Sequence, residues 1–112
     1  MKTLQDLTSP ATVTRKLLEK DVQAKCIDWA RSRGYWCRKF SSMTQRSVPD
    51  YLCAKGKVKF ACEFKAPGKL PTEAQKEELE VMRKAGWEAF WCDSFETFKA
   101  VVAGIEARAE EV

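Results

Sequence analysis

Apolar positions repeat with a helical period in the first third of the chain. Leu18, Val22, Cys26 and Trp29/Ala30 recur at i, i+4, i+8 and i+11/12, which predicts a helix from about Thr12 to Arg33 with one apolar face. Gly34 stands where a helix-ending glycine is expected. The period then changes to two. Tyr35–Phe40 is aromatic and alternating, Asp50–Ala54 is short and mixed, and Val58–Lys65 alternates cleanly. In that last run Val58, Phe60, Cys62 and Phe64 fall on one face, and Lys59, Ala61, Glu63 and Lys65 on the other. Lys55-Gly56 between the second and third runs predicts a hairpin, and Ser41–Val48 a polar loop.

Ala66–Pro71, with two prolines and a glycine, reads as a loop. Thr72 opens a second helix with Leu79 and Met82 inward, and Gly86 closes it. Trp87–Cys92 is an apolar, aromatic strand. Ser94 caps a last helix to about Arg108 with Phe95, Phe98, Val101/Val102 and Ile105 inward. The order α-β-β-β-α-β-α predicts an α/β fold. Residues 1–11 read as a flexible arm and residues 12–110 as one domain, with no internal repeat.

Composition narrows the chemistry. The chain has 112 residues, 45% of them hydrophobic, enough for one core. No apolar run approaches the ~20 residues of a membrane span, and Met1–Pro10 lacks a secretory apolar segment, so a cytoplasmic protein is expected. The five cysteines, at 26, 37, 53, 62 and 92, show no C-x-x-C spacing and sit mostly in apolar runs, which predicts buried, reduced thiols. There is no histidine. Ser-His and Cys-His catalysis and histidine general bases are excluded, leaving carboxylates, lysine, tyrosine or metal-bound water. The net charge of +4 fits a nucleic-acid partner without demanding one.

With Lys55-Gly56 as a two-residue turn, Ala54 faces Lys57 and Asp50 faces Ala61. Glu63 is then the diagonal neighbour of Asp50, roughly 7–8 Å away on the same face. Lys65 points the same way. Two carboxylates so close repel unless a cation intervenes, and an oxygen donor set without histidine suits Mg²⁺ or Mn²⁺. The bland alternative is an exposed strand face carrying a surface ion pair.

Ser47-Val48-Pro49-Asp50, then Glu63-Phe64-Lys65-Ala66-Pro67-Gly68, then Gln75 and Arg83-Lys84-Ala85-Gly86, resemble the VRR-NUC family of PD-(D/E)xK nucleases. The resemblance runs from about Glu19 to Phe95 and departs at Ser47, where the family has glycine. It implies a restriction-endonuclease-like core with a central mixed sheet flanked by helices. It also implies a Mg²⁺- or Mn²⁺-dependent endodeoxyribonuclease. Asp50, Glu63 and the Phe64 carbonyl would hold the metal, Glu19 would act near it, in part through water, and Lys65 would orient the nucleophile.

From periodicity alone, Glu19 reads rather as a solvated carboxylate near a helix start, one turn before Gln23, and only the resemblance assigns it to the metal site. Gln75 has two readings. Thr72-Glu73-Ala74-Gln75 matches a capping box, whereas the family uses this glutamine at the active site. Lys39, Arg46, Ser47 and Lys69 are the expected DNA contacts. Tyr35, Trp36, Trp87 and Trp91 are expected in the core or an interface rather than stacked on bases. Free-standing phage and bacterial members of the family suggest a homodimeric, Holliday-junction-resolvase-like enzyme for branched DNA. The rivals are a non-catalytic nucleic-acid-binding module and a sequence-specific nuclease on the same fold.

Overall fold

A computed structural model describes residues 17–111. The expected arm, and the first turn of the helix expected from Thr12, lie outside the described residues. Within them the order is α1 (Glu19–Ser32), β1 (Trp36–Lys39), β2 (Tyr51–Lys55), β3 (Val58–Phe64), α2 (Glu73–Lys84), β4 (Glu88–Cys92) and α3 (Phe95–Glu110). This is the α-β-β-β-α-β-α order read from the periodicities. None of these helices is long and apolar enough to cross a membrane.

The start of α1 is later than the apolar repeat suggests. Asp21 accepts a hydrogen bond from the Leu18 amide at 2.8 Å, which fixes Leu18 as the extended residue before the first turn. Leu18 is accordingly 45% exposed, and the buried stripe runs through Val22, Cys26, Ile27 and Ala30. The helix ends as expected at Gly34, whose φ of 95° suits a residue without Cβ. The amides of Gly34 and Tyr35 fold back onto the carbonyls of Arg31 and Ala30, both at 3.0 Å, satisfying the end of the helix and aiming the chain into β1.

The four strands lie in the order β1-β2-β3-β4, antiparallel except for the parallel pair β3-β4, whose crossover is α2. The sheet is therefore mixed. The α1 and α3 helices cover one face. There Phe60, Phe64 and Phe98 form a chain of ring contacts, and all five cysteines are free and buried against them. On the opposite face α2 lies over the β4 side, where Leu79 packs with Ala61 and Ala89.

The turn between β2 and β3 corrects the sequence register. Lys55 pairs with Val58, so the turn is Gly56-Lys57 rather than Lys55-Gly56. Gly56 adopts a φ of 60° there, the left-handed geometry that this tight turn requires. The pairing moves by two residues, which preserves parity: Asp50 and Glu63 stay on one face. At the outer edge, β1 presents its Cys37 carbonyl away from β2. That oxygen accepts from Arg31 Nη2 at 2.9 Å and Arg38 Nη1 at 3.0 Å.

Candidate active site

Asp50 stands one residue before β2. A regular ladder would place it opposite Glu63, since Tyr51 pairs with Cys62. Instead the Asp50 amide donates to the Cys62 carbonyl at 3.0 Å, so two residues of this strand address one residue of β3. That is a β-bulge, a device that turns a strand and re-aims a side chain. Pro49, buried and without an N–H, cannot carry the ladder further. The bulge leaves the Asp50 carboxylate accepting from the Phe64 amide at 2.8 Å. In a strand the N–H and C=O of one residue open to the same side, so the Phe64 carbonyl faces the Asp50 side as well.

Glu63 is the one charged residue in the buried set among the described residues, at 4% exposure. Its Oε2 accepts from Gln75 Nε2 at 2.8 Å and lies 3.4 Å from Lys65 Nζ. Both contacts fall on the same oxygen, leaving Oε1 without a side-chain partner among the described residues. Burial raises the Glu63 carboxyl to about 7, and the charge of Asp50 pushes the same way. Lys65 opposes the rise by charge and hydrogen bond, while Glu19 adds to it. Glu19 thus acts on the site from the exposed first residue of α1 through its charge, and no hydrogen bond joins it to Glu63.

Gln75 makes the capping bonds and also touches Glu63. Its Oε1 accepts from the Thr72 amide at 2.9 Å and its own amide donates to Thr72 Oγ1 at 3.1 Å, which closes the capping box. The other end of the same amide donates to Glu63. The cap fixes the flip of the side chain: with oxygen committed to Thr72, only the NH₂ can face the carboxylate. Leu79, one helical turn on and buried, holds this face of α2 against the sheet.

The expected nucleic-acid contacts are less concentrated. Lys39 is exposed, with Nζ 3.4 Å from Gln23 Oε1 and 5.5 Å from the Tyr51 ring centroid, on the face opposite Glu63. Ser47 accepts from Gln45 Nε2 at 2.6 Å within the β1-β2 loop. Arg46 and Lys69 are exposed on loops. Tyr35 is buried, and Trp87 and Trp91 pack around Leu79. Trp36 lies outside the core at 49% exposure, because no described helix covers β1 on its side of the sheet.

Two carboxylates, one of them with an oxygen free of side-chain partners among the described residues, and a backbone carbonyl fit a hard cation that keeps much of its water, as Mg²⁺ does. No three His, Cys, Asp or Glu side chains gather into a complete metal cage among the described residues. The bulge, the amide flip and the exposure of Trp36 were not foreseen from the sequence. Only Pro49 signalled the first of them.

No family sequence model matches the chain, and no curated protein matches it. Solved structures do. One, described as a VRR_NUC domain, is 26% identical, with a TM-score of 0.69 over 76% of this chain and 94% of its own. Another, described as a VRR_NUC domain protein, is 20% identical, with a TM-score of 0.63 over 82% of this chain and 88% of its own. The mixed sheet with its helices is the PD-(D/E)xK nuclease-like fold. Within that class, the likenesses support a VRR-NUC nuclease domain.

Proposed function

We propose that the chain is a divalent-metal-dependent DNA endonuclease that hydrolyses phosphodiester bonds. The observation that carries this reading is the convergence of Glu63, Lys65 and Gln75 at one buried carboxylate, with Asp50 beside it on the re-aimed strand. Asp50, Glu63 and the Phe64 carbonyl would hold Mg²⁺ or Mn²⁺, with Glu19 contributing charge. When bound, the ion supplies Lewis-acid stabilisation of phosphoryl oxygen and acidity for water.

The chain's own groups have separable parts to play. Gln75 holds Glu63 by Oε2, which would leave Oε1 for the cation. Lys65, only 14% exposed and 3.4 Å from Glu63 Oε2, would orient the attacking water and offset charge on the phosphorane-like transition state. Residues 12–110 form one nuclease domain in this reading. Branched DNA as preferred substrate, a junction-resolving role and a homodimer follow from the family resemblance, a two-fold dimer suiting the paired cuts of a four-way junction.

The test is cleavage of four-way junction, flap and linear duplex DNA with Mg²⁺ or Mn²⁺, comparing wild type with Lys65→Ala. Metal-dependent cutting that Lys65→Ala abolishes is expected, with junction or flap preferred. Equal rates in the two proteins would overturn the mechanism. Tight, metal-independent binding without cleavage would make the chain a binding module instead.

A further inference from the structure

The face of the sheet that carries Glu63 is only partly covered. The α2 helix lies over β4, and no described helix lies over β1 and β2 on that side. Strand alternation and register place Trp36 and Arg38 of β1 there, beside Ala54 and Leu52 of β2. Trp36 is 49% exposed, the one tryptophan among the exposed large apolar residues of the described chain. The Arg38 guanidinium lies 5.0 Å from its ring centroid and donates to the Cys37 carbonyl at 3.0 Å. That bond fixes the guanidinium plane while leaving further N–H donors for an incoming acceptor.

The patch runs directly toward the carboxylates. The Phe40 amide donates to the Asp50 carbonyl at 2.7 Å, so the rows along β1 read Phe40 with Asp50, Arg38 with Leu52 and Trp36 with Ala54. Arg38 is one step of the pleat from the Asp50 row and Trp36 two steps, roughly 7 and 13 Å along the strand. The charge is of one sign. Trp36–Lys39 and Tyr51–Lys55 contain no Asp or Glu, and Lys59 of β3 borders the patch on the same face.

We propose that Trp36 and Arg38 form a platform for an unpaired nucleotide of the substrate. Its base would stack on the indole of Trp36, and Arg38 would contact a phosphate on the path to Asp50 and Glu63. This inference rests on the nuclease reading and adds to it a place where single-stranded character is recognised. A π face with an adjoining guanidinium is the chemistry that holds single strands without reading their sequence. An apolar protein partner fits less well, since Trp36 and the part-buried Leu52 and Ala54 beside it are rimmed by the charges of Arg38 and Lys59.

The experiment measures binding of labelled single-stranded, flap and blunt duplex DNA by fluorescence anisotropy in EDTA. The proteins are wild type, Trp36→Ala, Trp36→Phe and Arg38→Ala. Light scattering reports oligomeric state, and metal-supported cleavage is assayed in parallel. Trp36→Ala is expected to weaken single-strand and flap binding about tenfold or more, with blunt duplex binding little changed. Trp36→Phe should restore most of the loss. Arg38→Ala should lower the salt dependence by about one phosphate contact.

If wild type binds and cuts DNA but Trp36→Ala matches it on every substrate, the platform is overturned and the nuclease reading stands. Loss of a dimer in Trp36→Ala, with single-strand binding per protomer intact, would overturn it in favour of an interface between copies. Wild type that neither binds nor cuts any of the DNAs would overturn the nuclease reading and the platform with it.

Discussion

Gln75 Nε2 lies 2.8 Å from Glu63 Oε2, and the opposite end of the same amide closes the N-terminal cap of α2. One side chain therefore ties helix initiation to the placement of a buried carboxylate. Substitutions can separate the two. Gln75→Ala removes both, and should cost about 1 kcal/mol of stability together with roughly 10–100-fold in cleavage rate. Gln75→Glu can still accept from the Thr72 amide as a capping-box residue, but it sets a carboxylate against Glu63. Thermal denaturation at pH 5, where a shared proton can relieve the repulsion between the two carboxyls, should find it nearer wild type in stability, and cleavage assays at pH 8 should find it as impaired as Gln75→Ala. A Gln75→Glu protein with the wild-type rate would contradict the role assigned to the NH₂ group.

Glu63 sets a pH dependence in the metal-free protein. Burial and the Asp50 charge raise its carboxyl to about 7 from an ordinary value of 4.5. A folded-state value above the unfolded one contributes stability that is full below the unfolded value and is lost as pH rises through the folded one. Glu63→Gln imitates the protonated form. In chelator, its melting temperature relative to wild type should therefore rise as pH goes from 5 to 8. A difference that stays flat across that range would remove the argument.

A second carboxylate titrates in the opposite sense. Glu106 accepts from the Tyr35 hydroxyl at 2.6 Å and from Arg33 at 2.9 Å, and these bonds hold its carboxyl below the usual range. A depressed value gives stability that is present above the unfolded value and lost as pH falls through the folded one. Tyr35→Phe should cost about 1 kcal/mol in urea denaturation at pH 7, with the gap to wild type closing below about pH 4. A gap that persists in acid would assign the cost to packing.

Leu79 offers a test of how α2 is anchored. At 2% exposure it fills the space between α2, Ala61 and Ala89. Leu79→Ala should destabilise the protein by about 2–4 kcal/mol. Because Leu79 stands one turn from Gln75 on the same helical face, cleavage should also fall under conditions where the variant remains folded by circular dichroism. Full activity in the folded variant would mean that the cap alone places Gln75.

The element order was legible because each segment carries its own period: Val22, Cys26 and Ala30 at helical spacing, and Phe60, Cys62 and Phe64 at strand spacing. The caps at Thr72 and Ser94 were legible for the same local reason. The turn was misplaced because Lys55-Gly56 and Gly56-Lys57 are nearly equivalent as text, and ladder hydrogen bonds decide between them. Parity survived since the error was an even number of residues. The bulge at Asp50 depends on a bond to Cys62, and the exposure of Trp36 on where α2 crosses the sheet. Both are set by tertiary packing, which short-range pattern does not encode. Gln75 looked like a choice between two roles because a residue letter does not show that its two ends point in different directions.

The two arginines on the Cys37 carbonyl have a consequence for self-association. A bare sheet edge invites another chain to continue the ladder, and repeated addition is the route to fibres. At β1 the Cys37 acceptor already holds two charge-assisted bonds, which an added strand would have to replace with one neutral bond. Backbone-templated polymerisation is thereby disfavoured along this strand. Copies of the protein that meet at this edge must recognise each other through side chains, which leaves the choice of partner there to surface chemistry rather than to the generic adhesiveness of an open strand.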